Sequence, residues 1–425
     1  MLNFKYIIHL FVLFPIFIIF LISGCSDKAV NQSSNGKIIE GKVVDYLGFP
    51  AEGIKVYLGS SHTITGIDGS FRLSSSTDTF DVSLVEDRYT QKIGTMYNGI
   101  TISNPVLYIH SSPNTYNKGN AVVITPKLSS IQKAVIFFTD IYMHESWEIA
   151  EPPDSISVLF VKWNGANKIT GKVICMVYSI INGVATSFEK YGEKQNIEVT
   201  KGGTTVITFT ENDLNINPVE SGINGNITGG NGNISSGFSL TTLSKTTGNF
   251  AFNYLPAISF EQGSNFMYVI PTGLPTPFRY IVNAAAEGNI YPEFSYKSKS
   301  LVSGSNNVDI ALEVIPILSE PSEGAVNIDL NTIFDFNIGS GAGINEITFY
   351  SAQTLFYVFQ FQKYLTLPDF SSMGIPIGSN INYRWSVRRI CYYRNMDEFV
   401  SKNPVYNDSL VSVTSTKERN FTTKP

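Results

Sequence analysis

The chain is poor in the side chains that carry most enzyme chemistry. Its 425 residues include three cysteines, four histidines and three tryptophans, and 15% of them are charged, against about 25% in an average soluble protein. Catalytic triads and zinc sites bring several histidine, cysteine or acidic side chains together. So few imidazoles and thiols leave little material for such a site.

The histidines are also far apart in the sequence. His9 belongs to the apolar N-terminal segment, which leaves His62, His110 and His144. His144-Glu145 lacks the second histidine, four residues on, that a helical zinc-protease motif requires. These three histidines are interpreted as surface or strand-end residues, and no metal ligand is predicted among them.

Two other signatures of catalysis are absent or incomplete. The sequence has no Gly-x-Ser-x-Gly elbow, the commonest sign of an α/β-hydrolase. Residues 165–173 (GANKITGKV) depart from a phosphate-binding loop, because one residue too many separates the glycines and Lys172 is followed by valine. This segment is predicted to be a turn between two strands.

Carboxylate pairs leave one enzymatic alternative open. Glu151/Asp154 and Glu211/Asp213 could serve as the acid and base of a glycosidase, since that reaction needs two carboxylates at a fixed separation. We interpret them as solvated surface groups, and residues 211–233 show no spaced acidic loop of the calcium-binding kind. The expectation is therefore a non-enzymatic protein with no catalytic residue, metal or cofactor.

A basic surface is lacking as well. The formal net charge is −5, and the first 24 residues contain one cation, Lys5, so the remaining 401 residues carry 29 cations against 35 anions, or −6. Nucleic-acid-binding domains are typically basic. No nucleic-acid partner is expected.

What the sequence does contain begins at the N-terminus. Lys5 precedes an apolar run from Tyr6 to Ile22, and Ser23-Gly24 follow it, which is the layout of a secretory signal. An uncleaved transmembrane helix of this length is the alternative. The residues that follow the apolar run favour the secretory signal, so residues 1–24 are predicted to be a cleaved signal peptide.

The end of this segment resembles the lipobox of bacterial lipoproteins. Its residues are Leu21-Ile22-Ser23-Gly24-Cys25. The resemblance implies that the Cys25 thiol is acylated and becomes the mature N-terminus, which makes membrane lipid the first predicted partner. Several acyl chains give stable attachment. Ser26, rather than Asp, at the next position favours the outer membrane or cell surface, and polar residues 25–36 are predicted to be a flexible tether.

Composition and patterning predict an all-β chain of tandem β-sandwich domains after the signal. Asn, Ser, Thr, Gly and aromatic residues, including 29 Phe and 22 Tyr, suit pleated strands joined by polar turns. The length suits three or four sandwiches, expected as small cores in a row. The predicted boundaries are 37–126, 127–214, 215–313 and 314–425.

The first of these domains shows clear alternation. Ile39, Gly41 and Val43 share one face of a predicted strand, and Asp68-Gly69 is a strong hairpin signal between flanking strands. The segment GKVVDYLGFPAEGIKVYLGSSHTITGIDGSFRL, residues 41–73, resembles the carboxypeptidase regulatory-like domain. That resemblance implies a transthyretin-like β-sandwich that acts as a spacer or docking module, without catalytic residues.

The two middle domains resemble no family in their sequence. Ala134–Phe138 and Lys172–Tyr178 are apolar runs typical of strands. Residues 211–237 are rich in Asn and Gly and are predicted to be a linker or a pair of long turns. The segment 247–252 echoes the Gly-x-Phe pattern of residues 69–71, which alone does not establish a repeat.

The last domain, 314–425, is similar to the fibronectin type III-like and Ig-like domains of bacterial surface proteins. The similarity lies in the early segment Pro321–Leu330 and in a late strand that places Tyr383, Trp385 and Val387 on one face. Residues 353–363 are aromatic-rich and predicted to be a strand.

The predicted function is that of a membrane-anchored interaction or structural protein of the surface or periplasm, with an unknown protein or glycan partner. Carbohydrate binding is the alternative, through a platform formed by Trp147, Trp163 and neighbouring tyrosines. Cys175 and Cys391 are predicted to be buried thiols without a disulfide. The lipidation site Cys25 is the one residue with an assigned chemistry.

Overall fold

A computed structural model describes residues 36–45, 48–87, 91–110, 117–140, 145–163, 165–230, 232–242, 257–289, 293–339, 342–401 and 411–425. Within these ranges the chain forms 30 β-strands, a 3₁₀ turn at Ser371–Met373 and one short helix, α1 (Met396–Phe399). The strands form six sheets. The predicted all-β class with tandem sandwiches is confirmed.

Unit 1 is the first sandwich and contains seven strands. One sheet has the order β4-β1-β7, and β3-β2-β5-β6 form the facing layer. Its strands are β1 (Lys37–Asp45), β2 (Lys55–Leu58), β3 (Ser61–Ile64), β4 (Ser70–Ser75), β5 (Phe80–Asp87), β6 (Lys92–Ile100) and β7 (Val106–Ile109).

Unit 2 follows with the same number of strands. Its sheets have the orders β11-β8-β14 and β10-β9-β12-β13. Its strands are β8 (Asn117–Ile124), β9 (Gln132–Asp140), β10 (Glu145–Ala150), β11 (Ile156–Trp163), β12 (Lys168–Ile181), β13 (Val184–Thr200) and β14 (Thr204–Thr208). Strand β8 pairs with β11 and β14 of this unit. Unit 2 therefore begins with β8, which lies before the predicted boundary at residue 126.

Unit 3 repeats the arrangement, with the orders β18-β15-β21 and β17-β16-β19-β20. Its strands are β15 (Val219–Thr228), β16 (Asn233–Thr241), β17 (Ala257–Gln262), β18 (Asn265–Thr272), β19 (Arg279–Glu287), β20 (Phe294–Leu301) and β21 (Val308–Ala311). The predicted linker or turns at 211–237 are wrong over β15, which is a full strand. The echo at 247–252 lies outside the described residues.

Units 1, 2 and 3 share one topology. In each, the first strand pairs antiparallel with the fourth and parallel with the seventh, while the other four strands have the order third, second, fifth, sixth. A glycine occupies the first strand of each unit, at Gly41, Gly119 and Gly225, where an added Cβ would clash with neighbouring atoms. The three units are therefore structural repeats.

Unit 4 has a different topology. One sheet has the order β22-β24-β27, and β26-β25-β28-β29 with β30 and β23 form the facing layer. Its strands are β22 (Ile317–Glu320), β23 (Ala325–Ile328), β24 (Ile333–Asn337), β25 (Gly343–Tyr350), β26 (Thr354–Gln360), β27 (Tyr364–Thr366), β28 (Asn382–Cys391), β29 (Val411–Ser415) and β30 (Arg419–Thr423). Strand β26 confirms the predicted strand at 353–363.

One sheet of 14 strands runs through units 1, 4 and 3. Strand β6 of unit 1 pairs in parallel with β26, and β20 of unit 3 pairs antiparallel with β29. Unit 4 therefore lies between units 1 and 3 in this sheet, so the order of these units in space differs from their order along the chain. Main-chain hydrogen bonds across both junctions join the units more firmly than flexible linkers would.

Unit 2 joins the others by packing against unit 3. Val135, Phe137 and Ile174 on one face of β9 and β12 share a core with Ile223 and Phe238 of unit 3. The opposite face of the same two strands packs inside unit 2. Burial on both faces explains why β9 and β12 are continuous apolar runs without alternation.

The Asp68-Gly69 turn joins two sheets and does not form a hairpin. Strand β3 pairs with β2 and strand β4 pairs with β1, so the predicted hairpin across this turn is wrong. The Asp68 carboxylate accepts hydrogen bonds from the Ser70 amide and hydroxyl. The Val43 amide donates to the Gly69 carbonyl at 2.8 Å, which fixes the turn against β1.

Candidate functional site

The predicted lipidation site, Cys25, lies outside the described residues, as do the signal segment and His144. The acylation of Cys25 and its role as anchor therefore stay predictions. In the described part of the chain, no helix is both long and apolar enough to cross a bilayer.

His62 and His110 occupy different places in unit 1. His62 is exposed on β3 and stacks on Tyr57, with 5.2 Å between ring centroids. His110 follows β7 and stacks on Tyr357 of β26, with centroids 3.8 Å apart. His110 therefore belongs to the junction between units 1 and 4.

His110 is part of a buried polar cluster at that junction. Its Nε2 lies 3.5 Å from Oε1 of Glu346, whose other oxygen accepts a 3.0 Å hydrogen bond from Arg388 Nε. Burial lowers the pKa of His110 to about 4, although the nearby Glu346 carboxylate opposes this shift. The neutral His110 imidazole of unit 1 therefore packs beside the Glu346–Arg388 ion pair of unit 4 and contributes to the contact between these two units.

The four carboxylates of the glycosidase alternative do not form a common cleft. Glu151 pairs with Lys133, and Glu211 pairs with Lys190, each facing solvent. Asp213 accepts hydrogen bonds from the amide and hydroxyl of Thr210, which lower its pKa to about 2 together with Lys194. Glu151, Glu211 and Asp213 therefore have the geometry of turn and surface ion-pair groups, and Asp154 is exposed.

The tryptophans do not form an exposed platform. Trp163 is buried in unit 2 and donates from Nε1 to the Ala166 carbonyl at 2.8 Å. Trp385 is buried in unit 4, where it meets Phe334 edge to face at 5.1 Å. Trp147 is half-buried against the core that units 2 and 3 share.

Cys175 and Cys391 are both buried and unbridged, as predicted. Burial raises the pKa of Cys175 to about 12 and that of Cys391 to about 11, so neither thiol is ionised at neutral pH. Within the described ranges, no group of three or more histidine, cysteine or acidic residues is arranged to hold a metal ion.

Exposed apolar sheet faces are the functional candidates that the sequence analysis missed. Strand β11 buries Leu159 and Val161 but exposes Ile156 and Phe160 to solvent. The sequence carries a sign of this face, because β11 has apolar residues at Ile156, Val158 and Phe160 on one side as well as Leu159 and Val161 on the other. Such a patch is characteristic of an interaction surface.

No protein-family model and no curated protein matches the chain. Among solved structures, the chain is similar to one described as the crystal structure of a tetra-tandem repeat in the extending region of a large adhesion protein. The sequence identity is 11%, the match covers 92% of this chain and 99% of that chain, and the TM-score is 0.16. A TM-score this low carries no argument about fold or function.

Proposed function

We propose that the chain is a lipid-anchored, extracytoplasmic interaction protein that holds its binding surfaces on a rigid β scaffold. The observation that carries this proposal is the 14-stranded sheet, which joins units 1, 4 and 3 by main-chain hydrogen bonds. Such junctions keep surfaces on different units at fixed separations, which suits a structural or adhesive role more than a catalytic one.

The finer family assignments belong to the same proposal. Unit 1 resembles the carboxypeptidase regulatory-like domain in its sequence, and its topology recurs in units 2 and 3. We therefore assign all three units to this transthyretin-like group and unit 4 to the fibronectin type III-like group. The early strand β23 of unit 4 pairs with β30, and Tyr383 and Trp385 of its late strand are buried.

Carbohydrate binding is the weaker candidate. It requires a row of exposed aromatic rings, whereas Trp163 and Trp385 are buried and Trp147 packs against a core. The protein–protein role needs no such platform, because exposed apolar residues are available on unit 2, at Ile156 and Phe160, and on unit 4, at Ile317 and Ile333.

The anchor is tested by the Cys25→Ala substitution in the full chain. We expect this variant to lose labelling by a metabolic fatty-acid probe and to remain as the uncut precursor, since the thioether forms on this thiol. The Cys391→Ala variant is the matched control and should label normally. Normal labelling and processing of the Cys25→Ala chain would contradict the lipoprotein assignment, and a membrane-impermeant reagent on intact cells would report surface exposure.

A further inference from the structure

The four units share their apolar cores in two pairs. One core contains side chains of units 2 and 3, such as Phe137 and Phe238. Another contains side chains of units 1 and 4, such as Tyr97 and Phe359. Among the described residues, no apolar cluster contains side chains of both unit 3 and unit 4. We call units 1 and 4 the first half of the molecule, and units 2 and 3 the second half.

The two halves meet along strands β20 and β29, where five residue pairs form what we call the β20–β29 seam. Polar side chains of β20 bond to unit 3 itself. The Tyr296 hydroxyl donates to Asn283 Oδ1 at 2.7 Å, and Lys297 Nζ donates to the Ala311 carbonyl at 2.7 Å. Because no apolar core is shared here, the seam depends mainly on its main-chain hydrogen bonds.

A buried hydroxyl group at the seam has no partner. Ser295 and Thr414 lie opposite each other on β20 and β29, and both are buried. Ser295 donates to the Glu313 carbonyl at 2.9 Å, whereas the Thr414 hydroxyl has no hydrogen-bond partner among the described residues. Such a group costs free energy that is regained when water reaches it. This position therefore favours opening of the seam.

A side-chain contact does cross the seam. The Tyr392 hydroxyl, just after β28 of unit 4, donates to Oε1 of Glu313, just after the last strand of unit 3, at 2.6 Å. Lys297 Nζ lies 5.4 Å from the centroid of the Tyr392 ring. Tyr392 is thus the side chain that ties the first half to the second.

The β6–β26 junction of the same sheet provides an internal comparison. Its strands also pair through their main chains, but Tyr97 stacks on Phe359 there, with ring centroids 4.8 Å apart, inside the shared core. A buried hydroxyl without a partner occurs at this junction too, on Thr95, so the shared core is what distinguishes the two junctions. Local opening is easiest where few buried apolar contacts are lost.

We propose that the two halves separate reversibly at the β20–β29 seam while each half stays folded. The chain connects the halves at residues 111–116 and 313–316, so the open form remains one molecule. The closed form keeps the fixed separations that the scaffold role requires, and the open form releases them. The opening does not involve Cys25, so its test can succeed or fail independently of the lipid anchor.

Residue-resolved hydrogen exchange on the full chain tests the opening. We expect amides bonded across the β20–β29 seam to exchange about 100-fold faster than amides bonded across the β6–β26 junction, because only the former are released by local opening. Equal protection of the two junctions would overturn the proposal, since the sheet would then open only as a whole.

A disulfide across the seam provides a locked form. Ser295→Cys with Thr414→Cys places two thiols at directly opposite positions of β20 and β29, and peptide mass spectrometry identifies the bond that forms. We expect oxidation to slow exchange across the seam to the rate of the β6–β26 junction, and reduction to restore fast exchange. The reduced double variant controls for the substitutions themselves. Unchanged exchange in the disulfide-bonded form would contradict separation at this seam.

The Tyr392→Phe variant tests the side-chain tie. It loses the hydrogen bond to Glu313, so we expect exchange across the seam to become about tenfold faster. Tyr383→Phe is the matched control, because it removes a tyrosine hydroxyl that bonds to Thr354 inside unit 4 at 2.9 Å, and it should leave the seam unchanged. Equal acceleration by both variants would mean that the seam opens only when unit 4 unfolds, which rules out the proposed separation.

Discussion

Burial keeps His110 uncharged at neutral pH and ties this residue to stability rather than to catalysis. The imidazole packs on Tyr357 and lies beside the Glu346–Arg388 ion pair. Its pKa is about 4 in the folded chain, against an ordinary value near 6.5 in the unfolded chain. Between these values the unfolded state binds the extra proton, so acidification favours unfolding.

The His110→Gln variant should therefore remove part of the pH dependence of stability. For the parent chain, the depressed pKa predicts a loss of about 3 kcal/mol between pH 7 and pH 4. The variant should lose correspondingly less over that window, as measured by denaturant unfolding at several pH values. His62→Gln, at an exposed histidine, is the control and should keep the parent slope. An unchanged slope in the His110 variant would contradict this assignment.

Residues with one buried face were predictable from the sequence. Alternation correctly placed Ile39 and Val43 in the core of unit 1, and Tyr383, Trp385 and Val387 in that of unit 4. Trp163 was a candidate for a sugar platform, but an indole in an alternating strand can face either way. Only the three-dimensional packing of unit 2 shows that it points inward.

Strand β15 shows why the linker or turns predicted from composition at residues 211–237 were wrong over a whole strand. Asn and Gly usually mark turns, yet here Gly225 and the asparagines occupy a strand with Ile223 and Ile227 buried. The glycine is needed because the parallel partner β21 approaches closely at Val308. The asparagines lie on the solvent side. Gly41 and Gly119 are also flanked by polar residues and followed, two positions on, by an apolar residue, and this repeated pattern was the missed signal.

Gly225→Ala should destabilise unit 3 strongly. An added methyl group would clash with the Val308 carbonyl and the Phe266 ring, and overpacking of this kind typically costs about 1–3 kcal/mol. Thermal unfolding followed by circular dichroism would measure the loss. Gly222→Ala lies in the same strand and its Cβ would meet only the Tyr268 carbonyl, at 4.0 Å. Equal effects of the two substitutions would rule out close approach as the reason for Gly225.

At the scale of the whole molecule, the order of the units in space could not be predicted from the sequence. The aromatic-rich pattern of β26 predicts a strand, but not that this strand pairs with β6. Tyr97 stacks on Phe359 at 4.8 Å, and the Asp397 carboxylate accepts hydrogen bonds from the Thr101 and Ile102 amides. These contacts join segments about 260–300 residues apart, and no local signal encodes them.

Unit 1 should therefore fail to fold alone. A fragment of residues 36–110 would expose the β6 edge and Tyr97, and unpaired edges favour aggregation. Adding a fragment of residues 314–425 should restore a dispersed NMR spectrum, because it supplies β26 and α1. A soluble, cooperatively unfolding 36–110 fragment on its own would show that the junction is dispensable.

The pairing of β6 with β26 also determines when unit 1 can complete its folding. A chain that emerges from its N-terminus first presents unit 1 long before the partner strand from unit 4 exists. Contacts of such high sequence separation form slowly, because loop-closure entropy must be overcome before they contribute. Unit 1 would wait, incomplete and open to misassembly, until nearly the whole chain had been made. A holding chaperone is therefore an expected requirement of this architecture.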